Sequence, residues 1–296
     1  MATDFQLSKP LVRWAGGKRK LAPTICKILP SAFWVGDGRY FEPFLGGAAV
    51  AIEISTKRTS KGLYLSDCNE DLINLYKTVQ SEPEHLITYI SHQEFCNSSD
   101  CYYRIRRSVE TDPIARAART LYLNATCFNG LHRTNASGGF NVPFGRLKNP
   151  DFKKTSLIQE LSILFENAVF STQNFEQSVQ QHTPTKGDVV YFDPPYIPLS
   201  VTSSFTSYSK DGFGLDEQKK LSALVQDLVE NDVSVILSNS YTDLTMEIFA
   251  NTGLRFFKVS MMRSISAQAQ SRNSVYEVLA TNIQMTDIPE NMETVD

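Results

Sequence analysis

Hydrophobic and polar positions fall along this chain in blocks of two kinds. Short apolar runs rich in β-branched and aromatic residues, each ending at polar or Gly/Pro punctuation, lie at 39–44, 62–67, 168–172, 188–193 and 232–238. Such runs predict buried strands of a parallel sheet. Helical stretches follow the first run at 48–55 and the fourth at 215–230, where Leu221, Leu224, Val225 and Leu228 repeat at i, i+3, i+4 and i+7. Strands alternating with helices predict an α/β fold of the Rossmann-like kind. Two further apolar runs, 255–260 and 275–281, are joined by a polar segment and predict an antiparallel hairpin at one edge of the sheet.

The interval 69–168 is far too long for the helix crossover of a βαβ unit, so it predicts an insertion. Helical patterns occupy 72–79, 84–90, 102–107 and 114–128, whereas 129–150 is rich in Gly, Asn and Pro and reads as an ordered, functional loop. The expected organisation is a catalytic domain formed by 1–68 and 158–283, an inserted, mostly helical domain at 69–157, and a tail at 284–296. That tail carries Asp287, Glu290, Glu293 and Asp296 without a Lys or Arg, and is expected to be disordered.

Over 296 residues, 42% hydrophobic and 21% charged positions give enough apolar material for a large core. Five cysteines, with no C-x-x-C pair, indicate neither a disulfide framework nor a zinc site and suit a reducing compartment. No signal-peptide pattern opens the chain and no apolar run approaches the ~18 residues of a membrane span, so a cytoplasmic protein with no membrane and no metal partner is expected. The formal net charge of −3 argues mildly against nucleic acid. Taken by segment, however, 101–154 holds ten basic and three acidic residues, a net +7 that leaves −10 for the rest. An acidic body therefore carries a basic insert.

Three motifs could carry chemistry. Phe41-Glu42-Pro43-Phe44-Leu45-Gly46-Gly47 is a strand followed by a glycine turn, and Asp67 ends the next strand, where an acidic side chain can hold ribose hydroxyls. Together they favour an adenosine-containing ligand. Trp14-Ala15-Gly16-Gly17-Lys18 is no phosphate loop, because Val12 and Arg19 stand where that motif needs Gly and Ser or Thr. Instead, the indole and glycines could wall a flat ligand with Lys18 as donor. The most specific motif is Asp193-Pro194-Pro195-Tyr196, at the carboxyl end of the fourth run. Its carboxylate and the Pro194 carbonyl can accept the two N–H bonds of an exocyclic base amine, turning the nitrogen lone pair toward an electrophilic methyl. The Tyr196 ring can stack on the base. With no cysteine beside the two prolines, direct transfer to an amino nitrogen is favoured over attack at a cytosine ring carbon.

These residues resemble the Dam-type (adenine-N6) DNA methyltransferases of the D12 class, in the alpha-group order of cofactor motif, target-recognition insert and catalytic D-P-P-Y. The resemblance runs from Trp14 to about Asn282. It includes Asp67-Cys68-Asn69, Phe128-Asn129-Gly130-Leu131-His132-Arg133, Gly139-Phe140-Asn141-Val142-Pro143-Phe144-Gly145 and Arg263-Ser264-Ile265-Ser266. It implies that Trp14, Lys18, Phe44, Gly46, Asp67 and Asp193 bind S-adenosylmethionine, and that Asp193, Pro194, Pro195 and Tyr196 handle a flipped adenine in double-stranded DNA. It implies base contacts by Phe128, Asn129, Leu131, Arg133 and Pro143 in the insert and by Arg13 at an outer base, with Arg133 reading a guanine and 5'-GATC the target. Arg116 or Arg119 would then be a phosphate contact. A bacterial or phage-infected cell is the expected setting, with a restriction-linked or replication-linked role. An amino methyltransferase of RNA or protein, or an inactive DNA-binding relative, are the alternatives.

Overall fold

The computed structural model describes residues 9–58, 62–92, 95–135, 137–198, 213–260 and 276–295; the sequence motif at 263–266 lies outside them. In chain order the elements are α1 (Ala22–Ile28), α2 (Ser31–Val35), β1 (Tyr40–Glu42), α3 (Ala49–Ser55), β2 (Leu63–Asp67), α4 (Glu70–Ser81) and α5 (Pro83–His92). Then come α6 (Ser99–Arg107), α7 (Pro113–Thr126), a 3-10 turn (Phe128–Gly130), α8 (Thr155–Leu164), β3 (Val169–Thr172), α9 (Phe175–His182) and β4 (Val189–Phe192). The chain closes with α10 (Leu215–Glu230), β5 (Ser234–Ser240), α11 (Asp243–Phe249), β6 (Arg255–Ser260), β7 (Tyr276–Thr281) and β8 (Met292–Thr294). Among the described residues no helix is long and apolar enough to cross a membrane.

The chain forms two compact units, one of the described residues up to Pro23 with Leu45–Thr172, the other of Thr24–Phe44 with the described residues from Gln173 onward. In the first unit β2 and β3 pair in parallel, Tyr64 opposite Val169 and Asp67 opposite Thr172. Helix α4 begins where the Asn69 side chain accepts the Leu72 backbone N–H at 2.9 Å, with Glu70 and Asp71 placed to complement the positive end of the helix. Its apolar face buries Leu72, Ile73, Leu75, Tyr76 and Val79. The helix packs against β2, β3, α7 and α8, and the Tyr76 ring lies flat on Phe170 with centroids 5.6 Å apart. Asp112 caps α7 through the Ala115 N–H at 2.9 Å, with Pro113 at the first helical position, where its missing N–H costs nothing. A second core of Tyr102, Ile105, Tyr122, Leu123, Cys127 and Val142 holds α6, α7 and the start of the following loop together.

In the second unit β1 pairs in parallel with β4 and β4 with β5; β7 then runs antiparallel to β5, and β6 antiparallel to β7. All four residues of β4 are buried, as expected for a strand covered on both faces. Helix α10 buries Leu221, Val225 and Leu228 of the stripe that its periodicity predicts and leaves Leu224 half-buried. A single carboxylate ties the entry of β1 to that of β4. Asp188 accepts the Arg39 backbone N–H at 2.7 Å, the Arg39 guanidinium at 2.6 Å and the Thr185 N–H at 2.7 Å.

The α/β, Rossmann-like architecture with its antiparallel hairpin agrees with the sequence pattern, and all four insert helices lie where periodicity put them. The tail does not. Residues expected to be disordered form β8, which pairs with β6 from Val259–Met292 to Phe257–Thr294. The apolar Met292 side chain is buried and the Asn291 side chain bonds to Thr24 at 3.1 and 3.3 Å, while Glu293 stays in solvent. Counting acidic residues missed that an edge strand needs only one inward apolar side chain and unpaired backbone to dock on. Helix α8 (Thr155–Leu164) crosses position 157, the expected end of the insert.

Removing the Asp188 carboxylate leaves the partly buried Arg39 guanidinium without its counter-ion, so Asp188→Ala should lower unfolding stability by about 2–3 kcal/mol in urea titrations. A change below about 0.5 kcal/mol, the usual range for a surface substitution, would show that the clamp is dispensable.

Candidate functional site

In the first unit the end of β2 gathers the candidates for cofactor binding. The Asp67 carboxylate accepts backbone N–H groups from Gly46 and Asn69, each at 2.9 Å. Burial raises its pKa, and these two hydrogen bonds pull it back down. Gly46 has φ +46°, and a Cβ there would stand 2.8 Å from Cδ1 of the Trp14 indole. Only glycine lets the turn pass so close to that ring. Lys18 is 4% exposed, and its ammonium donates to the Gly16 carbonyl at 2.6 Å. A strand-end carboxylate with acceptor capacity left over, an indole face and a glycine turn suit the ribose and base of a nucleoside. Phe44, in the second unit, packs its ring against Phe175, Phe192 and Phe213 at 5.6, 6.4 and 5.5 Å.

The other face of this turn is occupied by the insert. His132 stacks on Trp14 with centroids 5.1 Å apart and planes at 28°, meets the Phe140 ring edge-on, and has the Asn69 amide 3.2 Å from its Nε2. Burial lowers the His132 pKa, with Asp71 opposing it, so the ring is neutral near pH 7. The loop that carries His132 is built on Asn124, a buried amide in α7. Its Oδ1 accepts the Arg13 N–H at 2.8 Å, and its Nδ2 donates to the Arg13 carbonyl at 2.8 Å and the Gly130 carbonyl at 3.4 Å. Gly130, at φ +64°, leaves room for the Arg13 stem, which a Cβ would meet at 2.6 Å. The Phe128 N–H donates to the Pro143 carbonyl at 2.9 Å, and Asn129 turns the chain with φ +55°. Phe128 and Leu131 are left 49% and 44% exposed, three residues apart on the same loop. Arg133 is exposed, with Nε donating to Asn141 Oδ1 at 2.6 Å.

In the second unit the chain leaves β4 through Asp193-Pro194-Pro195-Tyr196, and buried polar groups fix this loop. Gln218 of α10 donates to the Pro195 carbonyl at 2.8 Å, Asn239 of β5 accepts the Ile197 N–H at 3.0 Å, and Ser240 donates to the Ile197 carbonyl at 2.6 Å. Asn239 and Gln218 bond to each other at 3.3 Å. The Tyr196 hydroxyl donates to Glu277 of β7 at 2.7 Å. Burial, then the Asp193 and Glu277 charges, raise the Tyr196 pKa well above the phenol range, so the hydroxyl remains a donor.

The first unit thus brings Trp14, Gly46 and Asp67 into one turn and places Arg13, Phe128, Asn129, Leu131, Arg133 and Pro143 on one loop system. Asp193-Pro194-Pro195-Tyr196 lies in the second unit. Arg116 and Arg119, expected at phosphates, are engaged inside the fold: Arg116 with Asp71 at 2.8 Å, and Arg119 with the Ile105 and Arg106 carbonyls at the end of α6, at 3.1 and 2.8 Å. Arg107, Arg146, Lys148 and Lys153 are exposed. The sequence reading overlooked Asn124, Asn141, Gln218, Asn239 and Glu277. The signal for Asn124 and Asn239 was a polar side chain at a position where periodicity demands an apolar one. Among the described residues no group of three His, Cys, Asp or Glu side chains could hold a metal ion.

Gly46→Ala forces a methyl group into the Trp14 indole and an L side chain into a left-handed turn. Nucleoside binding by calorimetry should weaken at least tenfold, about 1.4 kcal/mol; unchanged affinity would remove this turn from the site. For His132 the folded pKa lies below the unfolded value near 6.5, so the unfolded chain takes the proton more readily and stability is lost as pH falls through that range. The thermal midpoint of the wild type should therefore drop more steeply between pH 7 and 5 than that of His132→Phe. Parallel curves would mean that the ring is not held neutral.

The family described as D12 class N6 adenine-specific DNA methyltransferase matches residues 14–265. The chain is 36% identical over 282 residues to the Type II methyltransferase M1.LlaDCHI of Lactococcus lactis subsp. cremoris, covering 93% of this chain and 95% of that protein. It is 36% identical over 289 residues to the Type II methyltransferase M.MjaIII of Methanocaldococcus jannaschii, covering 93% and 99%. To the DNA adenine methylase of Escherichia coli (strain K12) it is 35% identical over 278 residues, covering 92% and 95%. With this extent of match, the chain belongs to the D12 class of N6 adenine-specific DNA methyltransferases.

Proposed function

We propose that the protein transfers a methyl group from S-adenosylmethionine to N6 of adenine within GATC in duplex DNA, acting on a base flipped out of the helix. The observation that carries this reading is the hold of Gln218, Asn239 and Ser240 on Pro195 and Ile197, which fixes the backbone directly after the Asp193 carboxylate and the Pro194 carbonyl, the two acceptors for the amine of an unstacked base. When bound, the cofactor supplies an electrophilic methyl on a sulfonium. Asp67 would accept ribose hydroxyls, Gly46 and Trp14 would flank the adenosine, and Lys18 would donate to its polar end, with Phe44 and Asp193 added by family resemblance.

The Asp193 carboxylate and the Pro194 carbonyl accept the two N6–H bonds and turn the nitrogen lone pair out of conjugation. Asp193 also opposes the positive charge that grows on N6 and is placed to take its surplus proton. The Tyr196 ring supports the base by stacking. On the insert, Arg133 offers a guanidinium to guanine O6 and N7 with its Nε edge already steadied by Asn141. Phe128 and Leu131 present apolar surface to the space the flipped base vacates. Arg146, Lys148 and Lys153, exposed and basic, serve the phosphates.

Base-resolved sequencing of DNA from expressing cells should find N6-methyladenine at GATC, and methylation confined to another sequence would overturn the target. In purified enzyme, Asp193→Ala should lower methyl incorporation by about 10²–10³-fold; near-normal turnover would remove Asp193 from the chemistry. Arg133→Ala should cost about 1–3 kcal/mol of discrimination at the guanine, measured on cognate and singly substituted duplexes. Equal losses on both would exclude base reading. Alanine at Arg146 and Lys148 should instead weaken all duplexes alike and reduce the salt slope by about 1 per phosphate contact.

A further inference from the structure

The hydrogen bond between Tyr196 and Glu277 joins the catalytic loop to a strand with no assigned part in the reaction. Tyr196 belongs to the segment that follows β4, whereas Glu277 lies in β7 with Ser240 of β5 opposite it on one side and Val259 of β6 on the other. A residue flanked by strands on both sides has little backbone freedom. Its carboxylate meets the Tyr196 hydroxyl at 2.7 Å, within the short range of a charge-assisted bond. The backbone just beyond Tyr196 is fixed separately, through Ile197, by Asn239 and Ser240. Those bonds set where the tyrosine begins. They do not set the rotation of its ring: a contact at the far oxygen fixes the swing about Cα–Cβ, and, because a phenol O–H stays near the plane of its conjugated ring, the direction of its bond to Glu277 also selects the rotation about Cβ–Cγ.

We infer that Glu277 is a positioning residue: by accepting the Tyr196 hydroxyl it fixes the plane of the ring on which the target adenine stacks. This rests on the base-flipping reading above. Stacking transmits orientation from ring to base, and the base carries the nucleophilic nitrogen, so a ring free to rock lowers the fraction of complexes with N6 aligned for transfer. The acceptor matters here rather than the negative charge, because the bond's direction defines the ring. Glutamine at 277 would still offer an Oε1 acceptor in the same place; leucine would not.

The test compares full-length wild type, Tyr196→Phe, Glu277→Leu, Glu277→Gln and the double variant Tyr196→Phe/Glu277→Leu on a duplex carrying the target site. Tyr196→Phe removes one oxygen and keeps the ring, and thermal midpoints monitor folding throughout. Each of Tyr196→Phe and Glu277→Leu should lower kcat about ten- to a hundredfold with KM for DNA changed less than threefold. The double variant should be no slower than the worse single one, because both remove the same bond. Glu277→Gln should recover most of the loss. With 2-aminopurine in place of the target adenine, the wild type and the single variants should all brighten on binding as the base leaves the stack, and the variants should show a broader spread of fluorescence lifetimes.

Single variants within twofold of wild-type kcat, multiplicative losses in the double variant, or a glutamine variant as slow as leucine would each overturn the positioning role. If the wild type itself fails to brighten on 2-aminopurine DNA, base flipping fails instead, a result separable from the kinetic comparison.

Discussion

Burying a carboxylate is tolerable only when hydrogen bonds replace its water, and in the first unit Asp67 sets the pattern for everything around it. One oxygen holds the Gly46 N–H, which fixes the glycine turn; the other holds the Asn69 N–H, which fixes the residue that caps α4. The turn lies against Trp14, and Trp14 stacks on His132 of the recognition loop, which also meets the Asn69 amide. A single strand-end side chain thus lies at the start of two contact chains that converge on one imidazole. Anything that changes how Asp67 is held, such as a hydroxyl pair competing for its oxygens, alters the environment of the loop proposed to read bases.

The second unit solves a different problem. A loop with two successive prolines loses backbone donors, and its remaining polar groups must find partners in a core of apolar strands. Fully buried Gln218 and Asn239 supply them and bond to each other. Such a network adds little net stability compared with an apolar core of equal volume, yet any half-made version of it is costly, so it tolerates only one loop conformation. Rigidity at the carboxyl end of β4 follows from that intolerance.

The strands and insert helices were legible because each buries a face, and burial imposes a period on the sequence. Asp193-Pro194-Pro195-Tyr196 was legible because four residues with special backbone and polar properties stand together. Residues that act across long sequence separations were not. Asn124 and Arg13 are 111 positions apart, and Tyr196 and Glu277 are 81 apart, so no local pattern links them. The short helices α1, α2, α9 and α11 also escaped, since one or two turns give too few repeats of a helical period, and α8 was missed although Leu157, Ile158, Leu161 and Leu164 form a buried stripe along it. The tail misled because composition speaks for solvation, while one buried methionine was enough to seat β8.

Charge is where the sequence alone most overstates the site. The insert's net +7 suggests a broad basic surface, but several of its cations are already committed within the fold. Arg116 is paired with Asp71, Arg119 caps the carbonyls at the end of α6, Arg106 bonds the Val142 carbonyl and lies 4.7 Å from the centre of the Tyr103 ring, and Lys154 bonds the Leu11 carbonyl. A guanidinium held on main-chain carbonyls keeps its charge but holds an element in place, so it is less able to reach a phosphate directly, and Arg116 is in addition neutralised by Asp71. Arg104, Arg107, Arg146, Lys148 and Lys153 stay exposed. In the proposed reading the phosphate contacts come from this exposed set, while base selection falls to Arg133 and the exposed apolar pair Phe128 and Leu131.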